Sequence, residues 1–179
     1  MSNSRHAAIA ACLVIAAASS ASAQSVGATL RRTIPLGAVG REVAFSPDAR
    51  LLATSDVEHS IKLWRVSDGA LVRTLTHPAG VTSLAFTRDG EWLVSGSYDA
   101  KVRVWHVRDG ALARTLTGHS GAVWSVAASP DGQRIASAGE DRSIRIWRLA
   151  DGASLHTLTG HALNVWSVAF SPDGRWLAS

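Results

Sequence analysis

Val123-Trp124-Ser125-Val126-Ala127-Ala128, the turn Ser129-Pro130-Asp131-Gly132 and then Ile144-Arg145-Ile146-Trp147-Arg148-Leu149 form a block that decides the fold, because the chain writes it almost four times. Three tryptophans mark its period: Trp64, Trp105 and Trp147 stand forty-one and forty-two residues apart. Self-similarity at that spacing means stacked supersecondary units and not one irregular core.

Worked outward, the first run returns as Val81-Thr82-Ser83-Leu84-Ala85-Phe86 and Val165-Trp166-Ser167-Val168-Ala169-Phe170, with Val43-Ala44-Phe45 as its earliest version. The turn returns as Ser46-Pro47-Asp48-Ala49, Thr87-Arg88-Asp89-Gly90 and Ser171-Pro172-Asp173-Gly174, where Pro presets φ and Gly permits the positive φ of a tight hairpin. Second strands are expected from Leu51, Trp92, Arg134 and Trp176. Third strands are expected over 61–66, 102–107 and 144–149. They are β-branched and aromatic, with apolar residues on both faces, so they lie between layers. Asp68-Gly69, Asp109-Gly110 and Asp151-Gly152 then turn the chain into a more polar fourth strand. The unit is a four-stranded antiparallel sheet that buries its faces only against the sheets before and after it, as in a β-propeller. The fold expected is all-β, with about three complete blades and a partial fourth in an open, incomplete ring. The repeats run 41–80, 81–122, 123–164 and 165–179. Helical solenoids are excluded because no segment after the first residues has the apolar period of a helix.

Those first residues read as a signal peptide over 1–23. Arg5 precedes an apolar run from Ala7 to Ala18, and Ala21-Ser22-Ala23 before Gln24 has the pattern of a signal-peptidase site. Ile9-Ala10-Ala11-Cys12 has the look of a lipobox, but only five apolar residues precede the cysteine. Cleavage after Ala23 removes the one cysteine and implies a periplasmic or secreted product that is off the membrane. Residues 24–40 then hold a lone outer strand around Ala28 to Ile34, suited to close a ring by completing a final blade. Known propellers have about four to eight blades, so the chain reads as the front of a longer one. If 179 residues are instead the natural product, exposed blade faces imply self-association.

These residues resemble the WD-repeat family of β-propellers. The likeness rests on Gly118-His119 and Gly160-His161, the Ser-Pro-Asp-Gly turns, the Asp six residues before Trp105 and Trp147, and the Trp itself. With the leader, the chain looks like a bacterial-type exported member. Departures are Arg65, His106 and Arg148 where Asp often follows the Trp, Leu36 for the His of the first repeat and Glu58 for its Asp. The resemblance implies buried structural tetrads, His77, Ser95, Asp99 and Trp105 in blade two and His119, Ser137, Asp141 and Trp147 in blade three, with His161 and Ser179 beginning a fourth. Blade one, lacking the set, is expected to be the weaker unit.

The recurrence of Ser, His and Asp invites a hydrolase reading, but a set repeated once per blade with a Trp as fourth member is a structural lock, and no catalytic residue is assigned. Gly118-His119-Ser120-Gly121-Ala122 echoes a nucleophile elbow, yet it joins strands and does not turn a strand into a helix. His77, His119 and His161 are one repeat apart, which gives no metal pair, and the glycines sit at hairpins, so no cofactor or phosphate loop is indicated. The formal charge of +4 includes Arg5 and is spread over every strand, which argues against a nucleic-acid surface. Binding of a protein or peptide remains. By the resemblance, Trp124, Trp166, Ala122, Asn164, Tyr98 and Glu140 line the rim of one ring face. The alternative for the two tryptophans is that they plug the channel or pack between blades. The expected function is a non-catalytic scaffold, or else the accessory propeller of a larger enzyme whose catalytic domain follows residue 179.

Overall fold

The structure, a computed structural model, describes residues 12–17, 29–35, 40–56 and 58–179. Its hairpins follow from their turns. In each one a hydroxyl closes on the Asp two residues later: Ser46 donates to Asp48 at 2.7 Å, Thr87 to Asp89 at 2.6 Å, and Ser171 to Asp173 at 2.6 Å. Ser129 donates to Asp131 in the same way. The same carboxylates accept the backbone N–H of Arg50, Glu91, Gln133 and Arg175. The turn at Thr87 therefore forms without a proline, because the hydroxyl and the carboxylate hold it. Its fourth residue needs a positive φ, supplied by Gly90, Gly132 and Gly174, whereas Ala49 takes φ 55° in the first repeat.

Between these turns the chain forms three antiparallel four-stranded sheets in simple sequence order. The first holds β3 (Gly40–Phe45), β4 (Leu51–Asp56), β5 (Ser60–Arg65) and β6 (Leu71–Thr76). The second holds β7 (Val81–Phe86), β8 (Trp92–Ser97), β9 (Lys101–His106) and β10 (Leu112–Thr117). The third holds β11 (Val123–Ala128), β12 (Arg134–Gly139), β13 (Ile144–Arg148) and β14 (Ser154–Leu158). In the fourth repeat only β15 (Ala169–Phe170) and β16 (Leu177–Ala178) pair. The outer strand expected around Ala28 to Ile34 is β2 (Thr29–Pro35), and its neighbour is β1 (Cys12–Ala17), within the stretch read as a leader.

Alternation along each third strand assigns its two faces to two different junctions. Leu63 joins Ala53, Ile61, Leu75, Val81, Leu84, Leu93 and Trp105 between the first and second sheets. Its neighbour Trp64 packs with Leu52 and Ile34 on the other side. Val104 and Trp147 meet between the second and third sheets, and Ile146 meets Val165 and Val168 between the third sheet and the fourth repeat. Each such side chain contributes about 1.5–3 kcal/mol by leaving water, and none can do so within its own sheet. The sheets are thus blades in an open arc. At the inner strands, hydroxyls tie one blade to the next: Val126 N–H donates to Ser83 and Val168 N–H to Ser125, both at 3.2 Å, and Thr82 donates to the Val123 carbonyl.

Close approach there depends on Gly96. A Cβ at that position would lie 2.9 Å from Cγ1 of Val123 and 3.2 Å from Cγ1 of Val126. Gly96→Ala is expected to cost about 1–3 kcal/mol by overpacking the junction. Urea denaturation measures it, and an unchanged midpoint would show that the junction has slack.

Candidate functional site

In the third blade the expected residues form one continuous buried chain. The indole N–H of Trp147 donates to Ser137 Oγ at 2.8 Å, and the Ser137 hydroxyl donates to His119 Nε2 at 2.8 Å. His119 Nδ1–H donates to Asp141 at 2.9 Å. Asp141 also accepts the Ser143 hydroxyl at 2.8 Å and the backbone N–H groups of Ser143 and Ser120. Every donor meets an acceptor, which is the condition under which such a network survives burial. The order of protons matches that of a catalytic triad, but Ser137 is fully buried and the His119 side chain is 1% exposed. No substrate reaches either.

The second blade departs from this pattern. Trp105 donates to Ser95 at 2.9 Å and Ser95 lies 3.3 Å from His77 Nε2, yet His77 turns its Nδ1–H to the Ala79 carbonyl at 2.7 Å. Asp99 is bound instead by both arms of the buried Arg103, at 3.1 and 2.5 Å. Two glycines of the third blade make room for its arrangement. A Cβ on Gly139 would sit 3.2 Å from His119 Nδ1, and the equivalent residue in the second blade is Ser97, which fills that space. A Cβ on Gly118 would sit 2.7 Å from Arg145 Nη1, so its absence leaves room for that guanidinium, whereas Arg103 points inward; by strand register Thr76 matches Thr117, and the connection that follows is one residue longer in the third blade. The first blade has its own solution. Trp64 donates to Thr54 at 2.9 Å, and the buried Asp56 binds Lys62 at 3.0 Å and the Ser60 hydroxyl at 2.6 Å. In the fourth repeat His161 and Ser179 approach to 2.8 Å.

The rim residues sit at a repeated irregularity. The pairing of each inner strand with its neighbour slips at Arg41, at Thr82 and at Trp124, so these are bulge residues whose side chains are re-aimed out of the ladder. They begin a row of rings. The Arg41 guanidinium lies 4.9 Å from the Tyr98 ring centre and donates to its hydroxyl at 2.5 Å. Tyr98 meets Trp124 edge-on at 5.4 Å, and Trp124 meets Trp166 at 4.7 Å and 33°. Tyr98 and Trp166 are exposed, Trp166 at 65%, while Trp124 is half-buried and its indole N–H has no acceptor among the described residues. Ala122, expected on the rim, is buried instead. Its N–H donates to the Glu140 carboxylate at 3.0 Å and its carbonyl accepts the Glu140 N–H at 2.8 Å, so Glu140 braces the loop. Asn164 is half-buried. Arg41, Arg103, Asp56 and Thr54 carry roles that sequence reading left unassigned.

The model of the WD domain, G-beta repeat, matches residues 37–65, 69–106, 110–148 and 152–179. The chain belongs to the WD40 repeat family. Each complete WD40 match from residue 69 onward starts with the outer strand of one blade and ends with the Trp strand of the next, so each such repeat is itself a covalent tie across a junction. Among solved structures it is similar to that of U3-55K and to the RRP9 WD40 repeats, each at 25% identity and TM-score 0.70 over 72% of this chain. It spans 42% and 41% of those chains, respectively. No curated protein sequence matches it. WD40 repeats generally mediate protein–protein interaction.

Burial in the WD40 networks makes them acid-sensitive. Desolvation, with Arg103 beside it, pulls His77 down from 6.5 to about 4. Burial would raise Asp141, but hydrogen bonds from Ser143, His119 and Ser120 outweigh it and bring it to about 2. Both groups bind protons more readily when unfolded, so stability is lost as pH falls, first from about 6.5 toward 4 through His77 and then below 3.8 through Asp141. Melting temperature against pH should fall over the first window in the wild type and fall less in His77→Gln. Equal slopes would mean that His77 takes up no proton on unfolding.

Proposed function

We propose that this WD40 arc is a binding scaffold for a protein or peptide partner, held through the row Tyr98–Trp124–Trp166, and that it works in an exported compartment after removal of residues 1–23. The row carries the reading. Large rings fixed by one another lose little freedom on binding, and aromatic anchors flanked by polar groups dominate protein interfaces. Glu140 and Arg41 supply those flanking charges. In the second and third blades the hydroxyl and imidazole groups that could act as nucleophile and base are sealed, which supports a non-catalytic part for this chain. Export rests on the leader pattern around Ala23.

Panning a displayed random-peptide library should enrich ligands on the wild type and lose at least about tenfold on Trp124→Ala/Trp166→Ala with the melting temperature held. A double variant that loses folding, with no separate binding defect, would remove the interface. N-terminal sequencing of the exported product should begin at Gln24, and an intact Met1 would remove the export claim.

A further inference from the structure

The ends of β8 and β12 opposite Tyr98 and Glu140 open on the other face of the arc. There a cleft of 330 Å³ lies between the second and third blades, lined by Asp89, Trp92, Arg114, Gln133 and Arg148 among others. Arg114 dominates its chemistry. From the outer strand of the second blade its Nη2 donates to the Ala150 carbonyl of the third at 2.6 Å, and its guanidinium lies 5.2 Å from the Trp92 ring centre. Its Nη1 is buried and has no acceptor among the described residues.

The other charges of the cleft are occupied. Asp89 accepts from the Thr87 hydroxyl and the Glu91 N–H, and Arg148 donates to Asp151 at 2.9 Å. Among the described residues Arg114 is thus the lining cation without a carboxylate, and a donor left unmade under burial carries a desolvation cost that an acceptor relieves. The junction between the first and second blades has the same backbone staple, from Arg73 Nη2 to the Arg108 carbonyl at 3.0 Å, but Leu51 stands where Trp92 does. The aromatic floor under the arginine belongs to the second junction and is not needed for stapling blades.

We propose that this cleft binds an acidic side chain of a partner polypeptide, with the carboxylate taking the free Nη1 of Arg114 and an adjacent apolar residue lying on Trp92. The charge-assisted bond supplies the acceptor that the fold withholds, and the indole face provides apolar contact beside it. This surface is separate from the rim row and does not depend on it.

Two neutral-ended probes distinguish the chemistry: N-acetyl-Leu-Glu-amide and N-acetyl-Leu-Gln-amide, titrated into the whole chain while the Arg114 side-chain N–H and the Trp92 indole are followed by NMR. The Glu probe is expected to shift both signals in the millimolar range, and the Gln probe to bind at least about tenfold more weakly. Arg114→Gln should abolish that preference. Trp92→Leu, which installs the residue of the first blade, should weaken the Glu probe with the melting temperature kept. Trp124→Ala/Trp166→Ala should leave binding unchanged. Arg114→Lys, which keeps the charge, covers the case in which Arg114→Gln fails to fold, and should retain the preference for Glu. Equal binding of the two probes, a preference that survives in Arg114→Gln, or shifts centred on the rim tryptophans would each overturn the proposal.

Discussion

One hydrogen bond recurs in every complete blade, from the indole N–H of the third strand to a hydroxyl of the second: Trp64 to Thr54, Trp105 to Ser95 and Trp147 to Ser137, at 2.8–2.9 Å. An indole is the largest apolar group the junctions use, but it carries a donor that cannot be buried unpaired without cost. The register solves this. Trp147 stands opposite Ile135 and Ser137 opposite Arg145, which makes Trp147 and Ser137 diagonal neighbours on one face of the sheet. The acceptor is therefore supplied by the strand already paired to it, and the ring is free to fill the space between blades.

That same face carries a cost that each blade meets differently. Two residues before each Trp stands a cation, Lys62, Arg103 or Arg145, which points into the same junction. A charge there needs a partner. Lys62 has Asp56, Arg103 has Asp99, and Arg145 escapes over the Trp147 ring at 5.9 Å through the gap beside Gly118. Where the arginine escapes, Asp141 is left for His119. Where it does not, the histidine loses its carboxylate and turns to a backbone carbonyl. The networks of the three blades are thus one problem with three answers.

Most of the architecture was legible because it rests on local signals that repeat: the three tryptophans in register, the Asp-Gly turns and the doubly apolar third strands. The networks were legible only in part. The choice between His119 binding Asp141 and Arg103 binding Asp99 involves Gly139 against Ser97 and the room that Gly118 leaves beside Arg145, and the effect of a missing Cβ appears only when the neighbouring strand is in place. In the first repeat Glu58 holds the expected position for the acid, but the carboxylate that acts is Asp56, two residues earlier and buried. The burial of Ala122 followed from Glu140 bracing its N–H, a contact between two loops that no spacing reveals.

The bulges explain why the rim can differ between blades while the junctions cannot. Val123 and Val126 on either side of Trp124 remain in the core between blades, so the inner strand is held whatever side chain the bulge carries. Arg41, Thr82 and Trp124 share that position and have little else in common. Thr82 is spent on the Val123 carbonyl, and there the row is carried on by Tyr98 from the neighbouring loop, seated against Gly80, where a Cβ would lie 3.0 Å from its ring. A surface assembled in this way is fixed by the same inter-blade contacts that stabilise the arc, yet its residues are released from the packing rules of the core. The fold thereby separates the positions that must stay alike from the positions that set what is bound.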